Sequence, residues 1–137
     1  MYKETIKYTD YDNNDREEDF YFNLNKAELT EMQMSTEGGL EKRIQKIVSS
    51  QNGKEIMALF KEIILKAYGV KSDDGKRFIK NQEVRDEFEQ SEAYSELFMK
   101  LVTDADAAQK FINGIIPKDI ANQIKENPAT IAAINKK

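Results

Sequence analysis

The stretch Tyr2–Leu24, YKETIKYTDYDNNDREEDFYFNL, decides how the rest of the chain is read. Its first part alternates, with Tyr2, Glu4, Ile6 and Tyr8 on one face and Lys3, Thr5, Lys7 and Thr9 on the other. Its last part puts Phe20, Phe22 and Leu24 on a single face. Alternation rich in aromatic and β-branched residues is the pattern of a half-buried strand. Between the two runs lies an Asn/Asp cluster of turn formers, so the stretch predicts a β-hairpin. Loop parity sets the register. A two-residue turn at Asn13-Asn14 would oppose Ile6 to Tyr21, a residue of the other facial set. A loop of three or five residues pairs even with even, so that Ile6 and Tyr8 share a face with Phe20 and Phe22. A slip by one position would turn the whole apolar set to water.

The tip itself, TDYDNNDREED from Thr9 to Asp19, holds six carboxylates, two asparagines and Arg16. A calcium helix-loop-helix site needs oxygens at loop positions one, three and five, glycine at six and a bidentate glutamate at twelve. Counting from Asp10, the first three places hold Asp10, Asp12 and Asn14. Position six is then Asp15, without glycine's freedom, and position twelve is Tyr21, without a carboxylate. The flanking helices are missing as well. The acidic stretch reads as a hairpin tip.

Composition narrows the chemistry. At 137 residues the chain is long enough for one modest core. It has no cysteine and no histidine, which removes thiol nucleophiles, thiolate metal sites, the commonest general base and the commonest metal ligand. The longest apolar run is five residues, Ile56–Phe60, far short of a membrane span. The start MYKETIKY has no apolar signal-peptide core, and a cytoplasmic setting is expected. The net charge of −4 is uneven: −6 over residues 1–40 and +2 over the remaining 97. Such a balance argues against nucleic-acid binding, which needs a basic face. The acids would instead keep an exposed strand soluble or steer a basic partner.

From Asn25 the apolar period changes from two to 3.6. In NKAELTEM, Asn25 is the N-cap and Glu28 closes a variant capping box, giving a short helix that ends near Met34. After STEGG a second helix is expected, with Leu40, Ile44, Ile47 and Val48 as its stripe, up to a turn at Asn52-Gly53. In GKEIMALFKEIILKAYG, residues Ile56, Leu59, Phe60, Ile63, Ile64 and Ala67 form one face, widened by Met57, Leu65 and Tyr68. This predicts a central helix closed by Gly69 as a left-handed C-terminal cap.

GVKSDDGKRF fails as a phosphate loop: Gly69 and Gly75 are separated by five residues where four are required, and Arg77 stands where Ser or Thr would hold magnesium. A tight turn at Asp74-Gly75 is expected instead. Three helices follow: NQEVRDEFEQ with Val84 and Phe88, SEAYSELFMKLV capped by Ser91, and TDADAAQKFINGII stopped by Pro117. The third starts at Thr103 and carries Ala105, Ala108, Phe111, Ile112 and Ile115. Asp104 and Asp106 lie in its first turn, where the helix dipole favours acids. No base accompanies them, and no catalytic, cofactor or metal constellation emerges. The last twenty residues carry Ile120 with Ile124, and Ile131 with Ile134, around Pro128, too thin a set to hold a place in a core.

These residues together predict an α+β, mainly α fold. An N-terminal β-hairpin (1–24) packs on a helical body (25–117) of about five to six helices, forming one domain over 1–117. A weakly structured tail, 118–137, follows.

The runs NKAELTEM, STEGGL, FKEIILKAYGVKSDDGKRFIK and EAYSELFMKLVTDADAAQKFINGIIP, within residues 3–117, resemble the tail assembly chaperones of long-tailed bacteriophages and prophages of Gram-positive hosts. The resemblance implies a small, mostly helical, non-catalytic protein without a cofactor. Such a protein binds the tape-measure protein during tail building, helps to recruit the major tail protein and is absent from the mature virion. A longer frameshifted form often accompanies it. A chaperone for long helical segments would use flexible methionines and unpartnered apolar turns, so Met32, Met34, Ile120, Ile124, Ile131 and Ile134 are the candidate partner-binding residues. Weak self-association is expected; nucleic acid and membrane are not. Two other classes stay open: a minor or tail-completion protein of the virion, and an inhibitor of a host protein working through the acidic hairpin.

Overall fold

The first two strands, β1 (Tyr2–Thr9) and β2 (Asp15–Phe22), pair antiparallel with Tyr2 opposite Phe22 and Thr9 opposite Asp15. The loop between them is therefore the five residues 10–14, and even positions pair with even. Asn13 supplies the left-handed residue the turn requires, at φ 65°. Asp10 closes the turn: its backbone N–H donates to the Asn14 carbonyl at 2.9 Å, and its carbonyl accepts from Asn13 N–H at 3.0 Å. The even face is the inner one, with Ile6 and Phe22 buried and Phe20 half-buried.

The structure, a computed structural model, describes residues 1–35, 39, 42–43 and 52–116. Among these the helices are α1 (Lys26–Ser35), α2 (Gly53–Ala67), α3 (Gln82–Glu89), α4 (Glu92–Thr103) and α5 (Ala105–Ile115). The fold is α+β and mainly α, as the sequence predicts. The expected stripe Leu40–Val48 lies outside the described residues, apart from the separate positions 42 and 43.

The start of each helix follows from its cap. Asn52 Oδ1 accepts from the N–H groups of Lys54 and Glu55, Asn81 Oδ1 from Val84, and Ser91 Oγ from Tyr94. Asp104 likewise caps α5, accepting from Asp106 and Ala107 at 3.1 Å. Thr103 therefore ends α4 and does not open α5, a shift of one residue from the expected boundary.

One expectation is overturned at the end of α2. Gly69 is no left-handed cap: α2 stops at Ala67, Tyr68 is already extended, and Tyr68–Lys71 form a third strand, β3. Gly39 and Gly75 are the described glycines with positive φ. Strand β3 lies on β2, with Tyr21 opposite Gly69 and Phe22 opposite Tyr68. It then turns back through a short β4 (Phe78–Ile79), making a four-stranded sheet in the order β1-β2-β3-β4 among the described residues. Gly69 is needed for close approach. A Cβ there would sit 2.8 Å from the Phe78 ring and 3.0 Å from the Ile79 carbonyl. The turn at Asp74-Gly75 stands as expected, with Gly75 at φ 72° and Asp74 accepting from Ser72 Oγ and Lys76 N–H.

The core sits where the inner face of the sheet meets the helices. Phe22 is fully buried, 5.2 Å from Phe111 of α5 and 5.7 Å from Phe88 of α3 between ring centroids. Tyr68 stacks on Phe88 at 4.2 Å and 13°. Helix α2 contributes Leu59, Phe60, Ile63, Ile64 and Ala67, while Met57, expected to widen that stripe, is exposed. The end of β2 is pinned by backbone bonds from Asn23 N–H to Ala67 O, 2.8 Å, and from Leu24 N–H to Ile115 O, 2.6 Å.

Candidate partner-binding surface

Directly after that pinned point the chain enters α1, and a polar corner forms around one carboxylate. Asn25 Oδ1 accepts from Glu28 N–H at 2.8 Å, and Glu28 Oε1 accepts in return from Asn25 N–H at 3.0 Å. This is the reciprocal capping box. The second oxygen of Glu28 accepts from Lys80 Nζ at 2.7 Å, and Lys80 also donates to the Asn23 carbonyl at 2.6 Å. One glutamate thus caps α1 and neutralises a lysine that follows β4. The Lys80 side chain is only 14 % exposed. Burial holds its pKa below the ordinary lysine value; Glu28 works against that shift and Arg85 adds to it.

Beside this corner opens a pocket of about 480 Å³ between α1, α2 and α3. Leu24 and Met32 give it apolar walls, Glu28 and Glu31 its acids, and Lys66, Lys80 and Arg85 its bases.

At the far end of the sheet most acids of the hairpin tip are engaged locally. Asp10 accepts from the N–H groups of Asp12 and Asn14, both at 2.9 Å, and from Arg16 Nε. Arg16, then the turn amides, hold its carboxyl below the usual aspartate range. Asp15 and Asp19 accept from Thr9 and Thr5 across the strands, Glu18 from Tyr8, and Glu17 lies 3.8 Å from Lys7. The described residues hold no group of three or more acids placed to share a metal ion.

A family model described as phage tail assembly chaperone matches residues 1–137. The chain belongs to the phage tail assembly chaperone family. No curated protein and no solved structure matches it. Among the described residues of this tail assembly chaperone, no helix is long and apolar enough to cross a membrane.

The structure separates the candidate partner-binding residues of this family member. Met32 is 5 % exposed and lines the pocket, whereas Met34, two residues on, is 83 % exposed. Ile120, Ile124, Ile131 and Ile134 lie outside the described residues. What sequence reasoning missed is the basic side of the pocket. Lys80 and Arg85 fall in a polar stretch that reads as a solvated face, and Glu28 was legible as a cap but not as a counter-ion.

Proposed function

We propose that the chain is a non-catalytic chaperone for the tail of a long-tailed phage or prophage of a Gram-positive host. In this reading it binds the tape-measure protein in the host cytoplasm, assists recruitment of the major tail protein and leaves before the virion is complete. The observation that carries the reading is the family match over all 137 residues. Physical logic supports it. A tape-measure protein presents long helical segments whose apolar stripes would aggregate if left bare, and a helix-in-groove contact covers them. The exposed Met34, the pocket wall at Met32 and the isoleucines 120, 124, 131 and 134 are the proposed contacts.

Co-purification from a phage lysate tests the reading. The chain is expected with the tape-measure protein in assembling intermediates and missing from purified particles; stoichiometric recovery in particles would make it a virion component. Deleting residues 118–137 supplies a second test, expected to leave the melting temperature nearly unchanged and to weaken capture of the tape-measure protein. A much lower melting temperature would make the tail part of the fold.

A further inference from the structure

Arg85 lines the pocket between α1, α2 and α3, and one nitrogen of its guanidinium lacks a hydrogen-bond partner. Among the described residues, Arg85 Nε is the one buried side-chain nitrogen or oxygen without a hydrogen-bond partner. No ion pair joins Arg85 to Glu28 or to Glu31 in the described residues, although both line the same pocket. Burying a charged donor without a partner is costly, and native structures rarely leave one so. Its neighbour Lys80 is mostly covered, and that lysine's counter-ion, Glu28, is shared with the backbone of the capping box. Three bases therefore face two acids, one of them already engaged twice.

We infer that this pocket is a carboxylate-binding site, built to take an acidic side chain from a helical protein partner. A guanidinium presents its N–H groups in a fork that matches a carboxylate. The apolar walls, Leu24 and Met32, suit the methylenes of a glutamate or an adjoining apolar residue, and about 480 Å³ holds a side chain and its neighbour with room beyond a bare ion. Glu28 and Glu31 in the lining disfavour a doubly charged phosphate more than a singly charged carboxylate. The net charge of −6 over residues 1–40 likewise opposes a nucleic-acid backbone. The site deepens the chaperone reading by naming the chemistry of the contact. The partner assignment rests on that reading; the carboxylate site does not.

Two arms test it on the full chain. In the first, acetate and inorganic phosphate are titrated separately while the Arg85 side-chain N–H resonance is followed by NMR. A saturable shift with acetate, weaker with phosphate and lost in Arg85→Gln, is the expected result. An unmoved resonance, or a stronger response to phosphate, would overturn the carboxylate site whatever the protein's function. In the second arm the tape-measure protein is the probe. Arg85→Gln should weaken capture at least tenfold and flatten its salt dependence, with Arg85→Lys intermediate. A thermal melt of each variant confirms that it is folded. Acetate binding together with undiminished capture by a folded Arg85→Gln would overturn the partner assignment while leaving the chaperone reading intact.

Discussion

The hairpin tip and the pocket beside α1 are oppositely charged, and they differ more in how their charges are held than in sign. At the tip, Asp10 is satisfied by two amides and Arg16, and its neighbours pair across the strands. All of that hydrogen bonding is internal, and it fixes a turn. In the pocket, Lys80 and Glu28 are matched, while Arg85 carries a buried nitrogen with no partner among the described residues. The lesson is that charge density alone is a poor guide to a binding surface. The conspicuous acids hold a loop together; the inconspicuous base is the one left with an unpartnered nitrogen.

The sharpest way to break this comparison is to remove Glu28. Glu28→Ala takes away the α1 cap and strands the buried ammonium of Lys80, for an expected loss of about 3 kcal/mol in urea unfolding. An unchanged midpoint would show that the corner does not hold α1 in place. Lys80→Met should cost clearly less, within about 1 kcal/mol, because Glu28 keeps its bond to Asn25 N–H and a apolar side chain replaces a desolvated cation. A larger loss for Lys80→Met than for Glu28→Ala would reverse the roles assigned to the two residues.

At the tip the effects are smaller. Asp10→Ala should lower the unfolding midpoint by less than Glu28→Ala, since every group it bonds can turn to water. The pH dependence has a definite sign. The Asp10 carboxyl is depressed below its ordinary 3.8 in the fold, so its contribution is present above that value and fades as pH falls through the folded pKa. Comparing the acid limb of the stability curve in the parent and in Asp10→Ala isolates this slight slope. A slope identical in both would mean that the Asp10–Arg16 bond adds nothing in solution.

Much of the fold was legible because local rules agreed with one another. Alternation fixed the two faces of the hairpin, loop parity fixed its register, and Asn25 and Ser91 marked helix starts by their hydrogen-bonding chemistry. Strand β3 was not legible. Tyr68 continues the apolar stripe of α2, and a glycine after a helix reads as a cap, so the first two residues of the strand were absorbed into a helix end. What overrides the local preference is tertiary: Phe22 and Tyr21 of β2 offer a strand edge, and only glycine fits beneath Phe78. The pocket was hidden for a related reason. Its parts, Glu28, Lys66, Lys80 and Arg85, come from separate segments, and no spacing in the sequence brings them together.

The most direct test sets one charge against the other in a single assay: capture of the tape-measure protein by Arg85→Gln and by Asp10→Ala, each checked for folding by thermal melt. The unpartnered base at the pocket predicts that Arg85→Gln loses at least tenfold in affinity while Asp10→Ala binds like the parent. Loss of binding in Asp10→Ala with full binding in Arg85→Gln would contradict it, and would move the working surface to the acidic hairpin.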